Sequence, residues 1–169
     1  TGQKDQARET LQQLKKQVRL SGAEQAFILA QGYELLGDAE QAGTQYRAAA
    51  KAAPDNIAVQ TQMARFLMRR DSRQAEAALR RVMELARQGD RNLALGDEAR
   101  RTLAGLLATR GGDGDFEEAV RLLQQAGADR RVEDLDERLH AVLLLRREKP
   151  DLVRAQQLLE DLVFNRKTG

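Results

Sequence analysis

The sequence has no cysteine and no tryptophan, one histidine and two prolines, and aromatic residues make up 4% of it. Without cysteine, disulfides and thiolate metal sites are excluded. The lone His140 has no second imidazole for a metal site and no nucleophile motif for a triad, so neither role is expected of it. Scarce aromatic and β-branched residues argue against a sheet. Long apolar runs are also missing. The densest cluster, residues 141–145, stops at Arg146 and Arg147, well short of the roughly 18 apolar residues a spanning helix needs, so no membrane span is expected. Charge of one sign is lacking too: 28 basic and 26 acidic residues leave a formal net charge of +2, which calls for no nucleic acid.

What is present favours helix throughout. Ala, Leu, Gln, Glu and Arg are abundant, and 41% hydrophobic with 32% charged residues suffices for a core. The class is all-α. Apolar periodicity and caps predict helices over 3–19, 23–36, 39–53, 56–69, 72–88, 94–110, 116–126, 132–148 and 151–164. Ser21-x-x-Glu24 reads as a capping box, as does Asp115-x-x-Glu118 with an acid for Ser. Gly37, Gly89 and Gly111 read as helix stops, and Pro150 lies near a start.

The helices recur in a pattern. Ala26-x-x-Leu29-Ala30-x-x-Tyr33 is followed by Ala42-x-x-x-Tyr46 and Pro54. Weaker copies are Gln60-x-x-Met63-Ala64-x-x-Leu67 with Ala75-x-x-x-Leu79, Arg100-x-x-Leu103-Ala104-x-x-Leu107 with Ala119-x-x-x-Leu123, and Glu137-x-x-His140-Ala141-x-x-Leu144 with Ala155-x-x-x-Leu159. Ala7-x-x-x-Leu11 matches a second half alone. The anchoring alanines 7, 42, 75, 119 and 155 are separated by 35, 33, 44 and 36 residues. The long third interval is assigned to the segments Gly89–Gly96 and Gly111–Gly114.

This pattern resembles the tetratricopeptide repeat, whose signature is W-x-x-L-G-x-x-Y, then A-x-x-x-F, then P, over about 34 residues. Here Ala stands for Trp, Ala for Gly and Tyr for Phe. The resemblance implies an α-solenoid of antiparallel helix hairpins wound as a right-handed superhelix. One repeat domain would span 1–169, with an orphan second helix at 1–20, the best repeat at 23–56, another at 57–89, and degenerate ones at 94–127 and 132–165. Small residues at Ala30, Ala42 and Ala49 would let paired helices close in while Leu29, Tyr33 and Tyr46 fill the space between.

Candidate chemistry is weak. The loop 110–118, RGGDGDFEE, lacks the GK[ST] of a phosphate loop and the Gly and Glu spacing of a calcium loop, so it reads as a solvated turn with a cap. The cluster Glu133, Asp134, Asp136 and Glu137 reads as hydrated surface at a helix start. His140 falls at an apolar position and reads as packing at an interface. No enzyme activity and no cofactor is expected.

The resemblance implies a non-catalytic scaffold that binds a protein or peptide segment on its concave face, with an acidic segment as one candidate. The groove positions would be Phe27, Gln31, Glu34, Thr61, Arg65, Met68, Arg69, Arg101, Arg138 and Arg146. Arginine dominates after the first repeat and suits carboxylates through paired hydrogen bonds; the competing reading is an ordinary solvated, Glu-paired face. The Lys/Asn/Lys/Arg carboxylate clamp of chaperone-binding members is absent, since Phe27 and Gln31 hold its first slots. An alternative is the superhelical arm of a larger enzyme or of a bacterial envelope polysaccharide-export machine. A pentatricopeptide-type nucleic-acid binder fits less well, because its spacing would be near-constant. The start at Thr1 and the apolar last helix suggest a piece of a longer array, with terminal helices covered by further repeats or by a second copy in a homodimer.

Overall fold

The computed structural model describes residues 21–89, 92–112, 114–125, 130–146 and 150–165, together with positions 6, 9–11 and 13. The described residues are all-helical: α1 (Gly22–Leu35), α2 (Ala39–Ala52), α3 (Ile57–Leu67), α4 (Ser72–Arg87), α5 (Leu93–Arg110), α6 (Asp115–Gln124), α7 (Arg130–Arg146) and α8 (Leu152–Glu160), the last running into a π-helical turn (Asp161–Asn165). Packing is mostly sequential. The pairs α1–α2, α5–α6 and α7–α8 make the broadest contacts, α2–α3 and α6–α7 link neighbours, and α7 also touches α5. The chain divides into two compact units, Thr1–Ala78 and Leu79–Gly169.

In the first unit, α1 begins at the expected capping box: the Ser21 hydroxyl accepts from the Glu24 N–H while the Glu24 carboxylate accepts from the Ser21 N–H. The Ser21 hydroxyl, donating to the Glu24 carboxylate at 2.8 Å, and then the Ser21 N–H hold that carboxyl below its usual range. The helix ends at Gly37, whose φ of 77° is left-handed and suited to glycine. Asp38 then caps α2 by accepting from the Gln41 N–H. Alanines let the helices meet, with Ala26, Ala49 and Val59 forming one buried cluster flanked by Phe27 and Ala50. Tyr46 fills the centre, its ring 5.1 Å from Phe66 and edge-on to Phe27. Gly43 makes room for Phe66, because a Cβ there would lie 3.2 Å from the ring. Of the segment expected as a helix at 3–19, positions 9–11 and 13 are helical, and Leu11 packs its methyls into the space left by Gly32; Ala7 lies outside the described residues.

In the second unit, Leu103, Ala104 and Leu107 on α5 and Ala119, Leu122 and Leu123 on α6 are buried. Ala141 and Leu144 on α7 meet Ala155 on α8, with Phe116 and Leu158 against them. Gly111 closes α5 in the left-handed region at φ 68°.

Two readings differ from expectation. Gly96, assigned to the segment that lengthens the third interval, lies inside the helix expected over 94–110, and a Cβ on it would sit 2.6 Å from the Ala86 Cβ, so it serves close approach of α4 and α5. The long interval between Ala75 and Ala119 arises chiefly from helix length, 16 residues in α4 and 18 in α5 against 14 in α1 and α2 and 11 in α3. In addition, Asp115 is no capping-box residue. Gly114 occupies the N-cap of α6 without a side-chain bond, and the Asp115 carboxylate instead accepts the Gly112 N–H and a two-pronged pair from Arg110 at 2.6 and 2.7 Å. The Arg110 guanidinium holds that carboxyl below its usual range.

Candidate functional site

The positions assigned to a groove fall in both units and do not share one environment. In the first unit, Phe27 is partly buried against the core and Glu34 accepts the Tyr46 hydroxyl at 2.7 Å, so both serve packing as well as surface. Burial, reinforced by this bond to Glu34, pushes the Tyr46 phenol up, which keeps it protonated. Thr61 is partly buried, and its hydroxyl oxygen lies out of solvent with no hydrogen-bond partner among the described residues. Gln31, Arg65 and Arg69 are exposed and Met68 is half-buried. Arg69 does not share a helix face with Arg65 as its spacing suggests. The helix α3 ends at Leu67, with Met68 as C-cap, and Arg69 belongs to the turn before α4.

That early stop has a visible cause. Arg70 folds back, its guanidinium 4.0 Å above the Phe66 ring and donating to the Phe66 carbonyl, one of the carbonyls a helix end leaves unpaired. Asp71 then accepts the Arg73 and Gln74 N–H groups and starts α4.

In the second unit, Arg101 faces inward. Its guanidinium lies 3.8 Å from the Asp136 carboxylate, and its side chain is about one-fifth exposed, at 21%. Asp136 corrects the reading of its acidic cluster as surface, because it is buried. Its partner is Arg100, which bonds Asp136 directly, reaches Asp97 at 3.3 Å and donates to the Leu122 carbonyl at 2.7 Å. Burial pushes the Asp136 carboxyl up against the pull of these arginines. The nearest atoms of Arg101 and Asp136 are both buried and make no hydrogen bond. Arg100 stands at the position that Ala26 and Gln60 occupy in earlier copies of the pattern. Gln60 is likewise buried and satisfied by a backbone carbonyl, that of Pro54. His140 is buried as well, and burial lowers its pKa, with Arg154 adding to the shift.

Arg138 and Arg146 are exposed on α7. Arg146 lies on the wall of an open cleft of about 940 Å³ between α5 and α7. Gly105, Ala108 and Thr109 line its α5 side, Leu139, Val142 and Leu143 its α7 side, and Gly111, Gly112 and Phe116 complete its lining at the α5–α6 turn. The cleft can admit an apolar group beside a cation. The sequence pattern named Arg146, on this cleft, and Arg138, outside its lining, but none of the residues on the wall opposite. The available signal was Gly105, a glycine in mid-helix where it costs about 1 kcal/mol against alanine.

Among the described residues no cluster of His, Asp or Glu could hold a metal ion, and no helix is long and apolar enough to cross a membrane. No family model matches the chain, and no curated protein matches it in sequence.

Proposed function

We propose that the chain is a non-catalytic interaction scaffold of tetratricopeptide-like hairpins that binds a segment of another polypeptide through exposed residues of α1 and α3 in the first unit or of α5 and α7 in the second. The observation that carries this reading is the cleft between α5 and α7, open to solvent, apolar on its walls and bordered by an arginine that no core contact uses. The pattern of alanines supports it. Every alanine the repeat reading places in the described residues, Ala26, Ala30, Ala42, Ala64, Ala75, Ala104, Ala119, Ala141 and Ala155, is buried. The buried polar groups are consumed by packing: Arg100 by Asp136 and the Leu122 carbonyl, and Gln60 by Pro54. They serve the frame, and Arg138 and Arg146, exposed on α7, remain for a partner.

Affinity capture on the immobilised chain, with partners identified by mass spectrometry, tests the reading. Two charge-reversed variants, R65E/R69E and R138E/R146E, are run beside the wild type, with circular dichroism to show that each is folded. Loss of the same partner from either variant supports binding along these helices. Equal recovery by all three proteins contradicts it and leaves the arginines as solvated surface.

A further inference from the structure

Among the described residues, glycines in helix interiors have visible uses, with one exception. The spaces beside Gly32, Gly43 and Gly96 are filled by Leu11, Phe66 and Ala86. A Cβ built on Gly105, in the middle of α5, would meet nothing within 4 Å. Gly105 therefore costs helix stability without serving any internal contact, and the space it leaves opens into the α5–α7 cleft.

The opposite wall carries complementary information. One side of α7 is turned inward, with Asp136, His140, Leu143 and Leu144 buried. The other side leaves Leu135, Val142 and Leu145 each more than one-third exposed. Arg138 and Arg146 flank Val142 one helical turn to either side, since residues four apart align. Both are exposed, and neither makes an ion pair with a described residue. At 1.5 Å per residue their backbones stand about 12 Å apart along the axis. The resulting surface is apolar at its centre, cationic at both ends, and deepened on the facing helix by a missing side chain.

Resting on the scaffold reading, we infer that this cleft takes an acidic, apolar polypeptide segment from a partner protein. Two carboxylates of that segment, about 12 Å apart, meet Arg138 and Arg146. An apolar side chain between them packs on Val142 and Leu139, and the segment's backbone approaches α5 over Gly105 and Ala108. Arginine suits this task because its planar fork can hold a carboxylate through two hydrogen bonds. The balanced charge of the chain makes the attraction local, not a general pull on polyanions.

The test uses the full chain as bait for random 16-residue peptides displayed on phage, followed by solution binding of the enriched peptides. The expected winners carry paired Asp or Glu around a Leu, Ile or Phe. R138E and R146E should each weaken binding at least tenfold, and R138E/R146E should prefer the same peptide with Lys in place of its acids. Gly105→Ala should hold or raise the melting temperature yet weaken binding several-fold, a split that damage to the fold would not produce. Winners without acidic residues, or binding unmoved by all of these changes, would overturn the inference. Binding lost in R65E/R69E but kept in R138E/R146E would refute this cleft while leaving the scaffold reading intact, and no enrichment over background would refute both. Anionic vesicles or single-stranded RNA that bind in an Arg138- and Arg146-dependent way, where peptides do not, would overturn the assignment to a polypeptide.

Discussion

Replacing Arg100 by methionine should open the second unit more than any other single change at a charged residue. The substitution keeps the length of the side chain and strands Asp136, which is 3% exposed, without its bonded partner. Breaking one side of a buried ion pair costs about 3–5 kcal/mol. Arg101, already 3.8 Å from the same carboxylate, can swing in and hold the loss near the lower bound. The Leu122 carbonyl also loses the bond it accepts from Arg100 at 2.7 Å, adding about 1 kcal/mol. The expected total is about 4 kcal/mol, close to a thousandfold in the opening equilibrium. Hydrogen exchange read by mass spectrometry on peptides from α5, α6 and α7 measures it locally, without assuming that the whole chain unfolds in one step. The double variant R100M/D136L removes both charges and should return to within about 1 kcal/mol of wild type. A loss under about 1 kcal/mol in R100M, or equal losses in the single and double variants, would refute the pairing as described.

Further outcomes follow from single contacts. Since burial lowers the His140 pKa below 6.5, the unfolded chain takes up a proton that the folded chain refuses. Stability is therefore full above about pH 6.5 and falls as pH drops below it, and His140→Leu should flatten a melting-temperature profile in that window. The carboxyls of Glu24, Asp71 and Asp115, held low by the bonds they accept, should cause a separate loss at more acid pH. Tyr46→Phe removes the bond to Glu34 but keeps the ring, so urea melts should show a loss of about 1 kcal/mol, whereas Tyr46→Ala should cost about 3–5. Gly96→Val, with Ala86 already at 2.6 Å from an ideal Cβ, should destabilise by about 1–3 kcal/mol in the same assay, while Gly105→Ala should not. Leu152, Val153 and Phe164 are 64–70% exposed, so changing them to Glu should reduce any self-association seen by sedimentation without lowering the melting temperature.

The helices and their pairing with chain neighbours were legible in the sequence because both depend on local spacing. A small residue every helical turn beside a Leu or Tyr marks where two helices meet, and Ala30, Ala42, Leu103 and Ala141 are all buried accordingly. The cap at Ser21 was readable for the same reason, since it acts within three residues. The Arg100–Asp136 pair was not legible. An arginine and an aspartate 36 residues apart each look like solvent-facing residues on amphipathic helices, and only the packing of α7 near α5 brings them together. The lengths of α4 and α5 were readable, at 72–88 and 94–110, but the contact of Gly96 with Ala86 was not, because a glycine signals a loop in sequence. Arg138 and Arg146 were assigned to the candidate groove from spacing, and both are exposed on α7. Arg101 turns inward toward Asp136 instead, and Arg69 lies two residues beyond the end of α3, which Arg70 and Phe66 bring to a stop.

The central claim, that another polypeptide binds through exposed residues of α1 and α3 or of α5 and α7, is tested most directly by site-specific photo-cross-linking in the source cells. The photoreactive residue benzoylphenylalanine is placed in turn at Arg65, Arg138 and Val142 on α3 and α7, and at Arg47 and Gln124 on α2 and α6 as controls; all five positions are exposed. The account predicts discrete adducts of defined mass from the α3 or α7 positions and none from the controls. Adducts of equal yield at Arg47 and Gln124, or no polypeptide adduct at any α3 or α7 position, would contradict it.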